Sequence, residues 1–523
     1  MSAPDISIVV PVYNTMPYLT RCLNSLAGQS IGLDRMQIIA VDDGSTDRSG
    51  AELDRFAERH PGVVTVIHQA NSGGPAGPCN RALDVATGRY VFFVGADDHL
   101  GTEAAERLVT MADTYGSDVV LGRVVGVHSR HIYQDVFARN EADLDLFDSP
   151  LPRSLANTKL FRRELLDTHG IRYREDMPVG SDLPFTLAAC YHARRISVLA
   201  DYDCYFAVRR FSATNITYLS RHAERLRTAE AIVAYVAELI EPGKRRDAVL
   251  LRRFDHEIAR LVEDDLLRLD RATQELVHRG VGRLVAEHLS DDIAAGLNAE
   301  TRIRLALTRD GTVDDLLAAV RQDACAGVPP TVVAEGRRYA AYPGLSVAPG
   351  PCVDVTTAPD WAAKLDAVAA AWETDEHGER VLSLTAHTPA TDLGDRLTAG
   401  AEEVAAQVTV LAADAGGTTL RLRLRAAELL VGSGPTGRRR IVSAQAGPYD
   451  PARAPGAENA TGAAGAAAVR APRLRRKPSA VRRSGARLYV LTPVVDVSGR
   501  LMISVVPVTA NRVTARLRRP RRT

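Results

Sequence analysis

The chain has 523 residues, too many for one hydrophobic core, and a typical domain size of about 100–200 residues predicts about three domains. Its six cysteines are scattered without a C-x-x-C pair, which argues against a zinc site or a disulfide framework and favours a reducing compartment. The sequence has no run of about 18 apolar residues and no signal-like leader, so we expect a cytoplasmic protein.

The net charge of +1 conceals a basic C-terminal region. From Arg470 to Thr523 there are fifteen arginines and lysines and a single acid, Asp496. A local field of this sign attracts polyanions, so we expect an anionic polymer as partner, with peripheral binding to anionic lipid at the inner membrane face as an alternative. Nucleic acid is disfavoured because the region has few aromatic residues beyond Tyr489 for stacking on bases.

Residues 6 to about 123 alternate strand-like and helix-like patterns. Apolar runs predict four strands, at Ile6–Val10, Gln37–Val41, Val63–Ile67 and Tyr90–Val94. Helical spacing predicts three connecting helices, one after Pro17, one at Ser49–Arg59 and one at Asn80–Val85. This alternation predicts an α/β fold with a mostly parallel sheet and crossover helices.

The rest of the chain divides into regions with different patterns of apolar and polar residues. Up to residue 220 the pattern is less regular, with helix-like pieces around Asn157–Thr168 and Asp182–Arg194. Apolar residues then recur every three or four positions, which predicts a helical linker domain at 221–328 after a first domain at 1–220. Runs of alternating apolar and polar residues predict a β-rich, sandwich-like region at 329–523, with a low-complexity loop or linker at about 446–486.

Two acidic pairs lie at or shortly after the ends of predicted strands. Asp42 and Asp43 come after Gln37–Val41, and Asp97 and Asp98 come shortly after Tyr90–Val94. In open α/β sheets ligands bind beyond the carboxyl ends of the strands, so these carboxylates are expected to face one crevice. Carboxylates gathered in one cleft repel one another unless a cation or a hydrogen-bonding ligand is present, which favours a metal and a ligand for it.

Four motifs occur in the order seen in one enzyme family. They are Val10-Pro11-Val12-Tyr13-Asn14, Val41-Asp42-Asp43-Gly44-Ser45-Thr46-Asp47, Asn71-Ser72-Gly73-Gly74-Pro75 and Gly95-Ala96-Asp97-Asp98. Over about its first 220 residues the chain resembles the family 2 glycosyltransferases, which have a GT-A fold. Beyond that, its layout is similar to that of the wall teichoic acid (poly(ribitol phosphate)) N-acetylglucosaminyltransferases. Related enzymes use such C-terminal regions to form trimers, so the resemblance also suggests a homo-oligomer.

The resemblance implies a binding site for a UDP-sugar donor. A uracil ring needs a flat contact and an acceptor for its N3–H, and the family uses the positions of Pro11, Tyr13 and Asp43 in this way. The motifs also place Asn14, Asn71 and Asn80 among the donor-binding residues. The competing interpretation is that these residues form an ordinary strand-to-helix turn and a helix entry, both of which are common.

Asp97 is the candidate metal ligand. Mn²⁺ or Mg²⁺ prefers hard oxygen ligands, and one carboxylate with two diphosphate oxygens is a suitable shell that offsets charge as the nucleoside diphosphate leaves. The family motif usually has an Asp where this chain has Gly95, and commonly an Arg where it has Cys79. Asp98 either compensates for Gly95 or caps the following turn. Cys79 is better explained as a small buried residue than as a nucleophile.

Direct inversion requires a base that takes the proton of the acceptor hydroxyl. The candidate is Asp182, in a segment that resembles the Glu-Asp-x-x-Phe motif of the family with Ser181 in place of Glu. An ordinary helix N-cap is the structural alternative for Asp182, and Glu175 and Asp176 are alternative bases.

Two further arginines are candidates for contact with the donor diphosphate. The family has this segment close to the pyrophosphate, so one of Arg209 and Arg210 is expected there, because the guanidinium fork donates two parallel hydrogen bonds. A solvated basic turn is the alternative.

The sequence therefore predicts an inverting, metal-dependent transferase that moves a sugar, N-acetylglucosamine by resemblance, from a UDP-sugar to a hydroxyl of a cell-envelope glycopolymer such as a teichoic acid. A polymer- or nucleotide-sugar-binding protein on a decayed transferase scaffold is the alternative, motivated by Gly95, Cys79 and Ser181. A nucleotidyltransferase and a dinucleotide-binding dehydrogenase are disfavoured, because no glycine-rich loop follows Val10.

Overall fold

The computed structural model describes most of the chain. The described residues are 3–128, 130, 132–209, 221–325, 329, 331–334, 337–345, 353–355, 365–388, 397–414, 417–431, 438–446, 467–468, 478–484, 487–495 and 500–508. Arg210, most of the predicted low-complexity stretch and the last fifteen residues of the basic region (509–523) lie outside them.

The first part of the chain builds a mixed, mostly parallel eight-stranded sheet with the order β3-β2-β1-β4-β7-β6-β8-β5. Its strands are β1 (Ile6–Val12), β2 (Met36–Asp43), β3 (Val64–Gln69), β4 (Tyr90–Phe93), β5 (His99–Leu100), β6 (Val119–Val127), β7 (Lys159–Arg162) and β8 (Ile196–Val208). The strand β1 pairs in parallel with β2 and with β4, and β2 pairs in parallel with β3. The predicted α/β fold and its four strands are confirmed. The runs in β1, β2 and β4 are buried, whereas β3 is an edge strand whose residues are half-buried or exposed.

Helices connect these strands. They are α1 (Leu19–Ala27), α2 (Ser49–Arg59), α3 (Ala76–Leu83), α4 (Ala104–Tyr115), α5 (Arg163–Thr168) and α6 (Asp182–His192). In α1 the residues Leu19, Cys22, Leu23 and Leu26 are buried, which is the apolar stripe that its helical spacing predicts.

The expectation of a helix over Asn157–Thr168 is wrong in its first half. Lys159–Arg162 is the strand β7, which pairs antiparallel with β4 and β6, and only the second half of the segment is helical. Pairing with two strands satisfies the backbone of β7 on both sides and buries Leu160 and Phe161, which outweighs the local helical spacing.

A helical region follows, as predicted. It comprises α7 (His222–Leu239), α8 (Lys244–Arg252), α9 (Arg271–His288), α10 (Asp291–Gly296), α11 (Ala299–Asp310) and α12 (Val313–Cys325). Directly after α8 the chain forms a π-helical turn at Arg253–Ile258 and then short 3₁₀ turns. Among the described residues, no helix has the combination of length and apolar character needed to cross a membrane.

The C-terminal part is β-rich. Its strands are β9 (Thr331–Ala334), β10 (Arg337–Ala340), β11 (Asp366–Thr374), β12 (Arg380–Thr388), β13 (Leu397–Ala401), β14 (Val404–Ala405), β15 (Gln407–Asp414), β16 (Gly417–Arg425), β17 (Arg438–Ala446), β18 (Ala467–Ala468), β19 (Ala480–Ser484), β20 (Arg487–Val495) and β21 (Leu501–Pro507), with one short helix, α13 (Ala426–Leu429). A four-stranded and a seven-stranded antiparallel sheet share one apolar core, which includes Leu384, Leu422 and Ile503. The predicted sandwich-like region is therefore confirmed.

The described chain divides into two compact units. One comprises Met1–Leu261 with Glu287–Gly296, and the other comprises Val262–Ala286 with Leu297–Thr523. The three-domain division at 220 and 328 stays a prediction.

A buried carboxylate holds the strands that the sequence did not predict. Asp118, just before β6, accepts a hydrogen bond from Nε of Arg162 (2.9 Å) at the end of β7. It also accepts one from the backbone N–H of Arg194 (2.9 Å), two residues before β8. Burial alone would raise the pKa of Asp118, but the hydrogen bonds of Arg194 and Arg162 lower it overall.

We expect Asp118→Asn to lower the free energy of unfolding by about 3 kcal/mol, because two guanidinium groups lose a buried anionic partner. The lowered pKa means that this stabilisation is present above the unfolded carboxyl pKa of about 3.9 and is lost as the pH falls through the folded value. Denaturant unfolding at pH 7 and at successively lower pH measures both effects. Glu103→Gln, which removes the exposed Arg107–Glu103 pair, is the control and should change stability by less than about 1 kcal/mol.

Candidate functional site

A cleft of about 280 Å³ lies at the carboxyl edge of the sheet. Its lining comes from the end of β1, the end of β2, the loop between β3 and α3, and the loop after β4: Pro11, Val12, Tyr13, Thr15, Asp43, Asn71, Gly73, Gly74, Pro75, Pro78, Gly95, Ala96 and Asp97. Five of the predicted site residues, Pro11, Tyr13, Asp43, Asn71 and Asp97, therefore lie around one cleft.

Tyr13 and Pro11 give the cleft a flat wall at the end of β1. Tyr13 is 48% exposed although it follows a buried strand, so its ring is available to a planar ligand. The next residue, Asn14, has a positive φ of 50°. Its side-chain oxygen accepts hydrogen bonds from the backbone N–H groups of Thr46 (2.8 Å) and Asp47 (3.2 Å), so Asn14 fixes the turn rather than lining the cleft.

Asp43 organises the loop after β3. Its buried carboxylate accepts hydrogen bonds from the amide of Gln69 (2.6 Å) and from the backbone N–H (3.0 Å) and hydroxyl (3.0 Å) of Ser72. A carboxylate has about four acceptor positions, so Asp43 retains capacity for one more donor. Asn71 belongs to the same loop, and its side-chain amide donates to the backbone oxygen of Asp43 (3.0 Å).

The two residues of the second acidic pair, Asp97 and Asp98, have different surroundings. Asp97 lines the cleft, whereas Asp98 is buried and accepts hydrogen bonds from the hydroxyl of Tyr205 (2.6 Å) and the backbone N–H of Val208 (2.7 Å). Burial and the charge of Asp97 raise the pKa of Asp98. Asp98 thus anchors the end of β8, as a turn-capping residue would, and does not replace a cleft carboxylate at position 95.

Neighbouring side chains explain why glycine is accommodated at position 95. A Cβ there would lie 2.8 Å from Oδ2 of Asp98 and 3.2 Å from Oδ1 of Asp97. An acid at this position would therefore crowd both carboxylates unless they moved. Among the described residues, no group of three or more His, Cys, Asp or Glu side chains could hold a metal ion. A cation at Asp97 would have to take most of its ligands from a bound diphosphate and water, which is common for Mg²⁺.

Asp182 opens α6, and it is half-buried there. Burial raises the pKa of its carboxyl, while the backbone N–H groups at the helix start and the positive charges of Arg253 and Lys159 act in the opposite direction. Of the alternative bases, Asp176 pairs with Arg174 (2.7 Å), which lowers its pKa and makes it a weaker base. Glu175 is exposed and accepts a hydrogen bond from Asn80 (2.9 Å).

The cleft and the Asp182 segment are joined by a close contact. A Cβ on Gly74 would lie 2.8 Å from the backbone oxygen of Pro178, so only glycine allows this approach without a shift. Asn80 makes a second connection, because its side chain bonds the backbone N–H (2.8 Å) and oxygen (2.9 Å) of Tyr173. Asn80 therefore orders the segment before Asp182 and is not among the cleft-lining residues.

The two predicted arginines are not in the cleft lining. Arg209 is exposed at the end of β8, where its backbone N–H donates to the oxygen of Val127 (3.2 Å). Arg210 lies outside the described residues, so its expected contact with a diphosphate stays a prediction.

Sequence reasoning assigned no role to several residues that shape this region: Gln69, Ser72, Gly74, Lys159, Tyr205 and Arg253. Ser72 and Gly74 lie within the motif Asn71-Ser72-Gly73-Gly74-Pro75, and Lys159 is a charged residue beside an apolar run. No local pattern marks Gln69, Tyr205 and Arg253.

Two family models match the chain. The model "Glycosyl transferase family 2" matches residues 7–170, and the model "Glycosyl transferase TarS linker domain" matches residues 223–320. The first match contains the cleft, and the second contains most of the helical region.

Known proteins resemble different shares of the chain. A poly(ribitol-phosphate) beta-glucosyltransferase of Bacillus spizizenii is 38% identical over 205 residues, which are 39% of this chain and 32% of the relative. The chain therefore matches about a third of that relative's length. An uncharacterized glycosyltransferase of Bacillus subtilis, EpsJ, is 32% identical over 235 residues, 43% of this chain and 67% of EpsJ.

Solved structures extend the likeness in fold. The crystal structure of Staphylococcus aureus TarS matches 97% of this chain and 86% of its own, with a TM-score of 0.61 and 20% identity. TarS 1–349 in complex with UDP-GlcNAc matches 65% of this chain and 97% of its own, with a TM-score of 0.57 and 24% identity. The whole architecture, including the antiparallel C-terminal sheets, thus has a known counterpart.

The hydrogen bonds of Asp43 predict the behaviour of the cleft loop. Asp43→Ala removes three hydrogen bonds from Gln69 and Ser72 to a carboxylate, each worth about 1.5–3 kcal/mol. We expect faster amide hydrogen exchange over residues 70–75, measured by mass spectrometry, because the loop opens more often. Asp54→Ala, which removes an exposed carboxylate, is the control. Equal exchange in the loop of both variants would show that Asp43 does not hold it.

Proposed function

Because this chain belongs to glycosyl transferase family 2, we propose that it transfers a sugar from a UDP-sugar to a hydroxyl group of an anionic cell-envelope polymer, with inversion at the anomeric carbon. The observation that carries the proposal is the arrangement of Tyr13, Asp43 and Asp97 around one cleft that is joined through Gly74 to the segment before Asp182.

The donor nucleotide fits the cleft wall. The uracil ring packs on Tyr13 and Pro11, and its N3–H donates to the remaining acceptor position of Asp43. The three hydrogen bonds from Gln69 and Ser72 hold Asp43 in place before the donor arrives, so little ordering is needed on binding. The TarS fragment of similar fold was crystallised with UDP-GlcNAc, which supports a UDP-sugar as donor.

Asp97 would hold a divalent cation, Mn²⁺ or Mg²⁺. Its carboxylate lines the cleft, and hard oxygen donors suit either ion. When bound, the cation offsets the negative charge that develops on the departing diphosphate.

Asp182 is the proposed base. The acceptor oxygen attacks the anomeric carbon while the bond from that carbon to the diphosphate oxygen breaks, and Asp182 takes the proton of the hydroxyl. The raised pKa of Asp182 suits this task, because a stronger base accepts a proton more readily as long as it remains ionised. UDP then leaves with the bonding electron pair.

A ribitol phosphate polymer is the proposed acceptor, and N-acetylglucosamine is the proposed sugar. The relative in Bacillus spizizenii is named a poly(ribitol-phosphate) beta-glucosyltransferase, which supports the acceptor. The TarS fragment of similar fold in complex with UDP-GlcNAc, together with the family model named for TarS, supports the sugar. The fifteen basic residues from Arg470 to Thr523 supply charge complementary to polymer phosphates. The predicted trimer and the predicted peripheral binding to a membrane stay predictions.

Two isosteric substitutions separate donor binding from transfer. We expect Asp97→Asn to abolish metal-dependent binding of UDP-N-acetylglucosamine, measured by calorimetry with and without Mn²⁺. We expect Asp182→Asn to bind the donor like the unchanged protein but to lose transfer by about 10²–10⁴-fold, since it lacks the base.

Matched controls keep these outcomes interpretable. Asp201→Asn changes an exposed carboxylate away from the cleft lining and should leave donor binding unchanged. Asp176→Asn removes one of the two alternative bases and should retain transfer. Absence of UDP binding by the unchanged protein in the presence of metal would defeat the transferase proposal, and full activity of Asp182→Asn would defeat the assignment of the base.

The basic C-terminal residues make a separate prediction about the acceptor. Removal of residues 509–523 takes away six arginines, and we expect weaker binding to a ribitol phosphate polymer with a shallower dependence on salt, because fewer counterions are released. Binding isotherms between about 50 and 200 mM salt, a range in which counterion release changes affinity strongly, measure the affinity and its salt dependence. A variant with these six arginines changed to lysine keeps the charge and is the control. Unchanged affinity after the deletion would remove this support for an anionic acceptor.

A further inference from the structure

The helix α6, which carries Asp182, begins without a capping side chain at its N-cap position. The N-cap residue Ser181 makes no side-chain hydrogen bond to the helix start. Among the residues that the structure describes, its hydroxyl is buried without a hydrogen-bond partner. A capping side chain normally helps to fix where a helix begins, because it satisfies N–H groups of the first turn. The position of Asp182 therefore depends more strongly on what the first turns of α6 pack against.

The ring of Tyr173 packs against this part of α6. It stacks on the ring of Phe185, with 4.2 Å between the ring centroids and 12° between the ring planes. Phe185 follows Asp182 by nearly one turn, so the two residues are neighbours on the surface of the helix. Tyr173 is 4% exposed and Phe185 is 1% exposed. Because interiors are closely packed, a buried stack of this kind restricts how far the helix can shift.

The same two rings contact the strand that leads to Asp97. Phe93, the last residue of β4, lies edge-on to Tyr173 with 5.2 Å between the ring centroids, and edge-on to Phe185 with 5.3 Å. Edge-to-face contacts at these distances are a favoured arrangement of aromatic rings. Asp97 follows Phe93 in the loop that lines the cleft. The ring of Tyr173 thus contacts both the strand end on the donor side and the helix that carries the proposed base.

Hydrogen bonds hold Tyr173 at both ends. Its hydroxyl oxygen accepts a hydrogen bond from the side-chain amide of Asn157 (2.8 Å). Its backbone N–H donates to the side chain of Asn80 (2.8 Å), and its backbone oxygen accepts from the same side chain (2.9 Å). Asn80 belongs to α3, the helix that directly follows the cleft loop. With its N–H, carbonyl and hydroxyl groups all bonded, Tyr173 presents its ring in one orientation.

We propose that Tyr173 is a positioning residue that sets the start of α6, and with it Asp182, against the donor cleft. This inference rests on the proposed role of Asp182 as the base. A general base must lie within hydrogen-bond reach of the proton that it takes, and a misplacement of about 1 Å can cost about 10²-fold in rate. A ring that packs on both β4 and α6 keeps the base in register with a donor held at the end of β4.

Tyr90 provides a matched buried tyrosine for comparison. It is 1% exposed, and its hydroxyl donates a hydrogen bond to Asp113 (2.8 Å), so its environment resembles that of Tyr173. Tyr90 is the first residue of β4, whereas the cleft loop follows the other end of that strand. A general effect of losing a buried tyrosine would appear at both positions, but an effect on the placement of Asp182 would appear only at Tyr173.

The test is the separation of kcat from donor affinity in the full chain, with UDP-N-acetylglucosamine and a ribitol phosphate polymer. Tyr173→Leu removes the stacked ring and should lower kcat about 10–100-fold, because the base is misplaced. The Kd of the donor, measured by calorimetry, should not change, because Tyr173 does not line the cleft. Tyr173→Phe keeps the ring and should restore most of kcat, and Tyr90→Leu should leave kcat unchanged. An equal kcat in Tyr173→Leu and Tyr90→Leu overturns the inference.

A double-mutant cycle tests whether the stack itself is responsible. Phe185→Leu removes the other ring and leaves the hydrogen bonds of Tyr173 in place, and it should lower kcat to a similar extent. The double variant should lose little more than either single variant, because both substitutions break one contact. Additive losses overturn the inference. If Tyr173→Leu does not fold, an unchanged kcat in Phe185→Leu overturns it equally.

A readout without turnover separates this inference from the proposed function. Amide hydrogen exchange over residues 177–186, measured by mass spectrometry without substrate, reports how often the start of α6 opens. We expect faster exchange there in Tyr173→Leu than in the unchanged protein, and no change there in Tyr90→Leu. Equal exchange in Tyr173→Leu and the unchanged protein overturns the role of Tyr173, whether or not transfer is observed. Absence of UDP binding, in contrast, concerns only the transferase proposal.

Discussion

The parallel pairing of β1 with both β2 and β4 brings three strand ends, and with them Tyr13, Asp43 and Asp97, to one edge of the sheet. The strand β1 is buried along nearly its whole length, as expected for an interior strand of a parallel sheet that is covered on both faces. The cleft, the loop that Asp43 holds and the close approach of Gly74 to Pro178 all depend on this alignment. The chemistry therefore depends on strand packing before it depends on any side chain of the site.

The elements that the sequence predicted well are those whose pattern is local. Apolar runs marked β1, β2 and β4, and helical spacing marked α2 with its observed ends. The strand β8 was missed because Asp201-Tyr202-Asp203 interrupts its apolar character, and β7 was missed because it continues directly into α5. In both cases tertiary pairing decided the conformation.

The candidate site also contains residues that a local pattern predicts and residues that only tertiary contacts explain. Asp43 and Asp97 were predictable because strand ends collect acids in this kind of sheet. That Asn14 and Asn80 order turns was not predictable, because their partners are Thr46 and Tyr173, which are distant in the chain. Arg253 lay within a region read only as apolar helix. The motifs predict which residues lie around the cleft better than they predict the contacts that hold those residues in place.

The contact between Gly74 and Pro178 has a consequence for how sequences of this type can diverge. The loop that surrounds the cleft and the segment that leads to Asp182 touch at backbone level, with no side chain to absorb a change. A lineage that acquired even a methyl group at position 74 would need a compensating shift in residues 177–182 at the same time. Variation at these two places should therefore be inherited together, which makes them a joint evolutionary unit although Gly74 and Pro178 lie far apart in the chain.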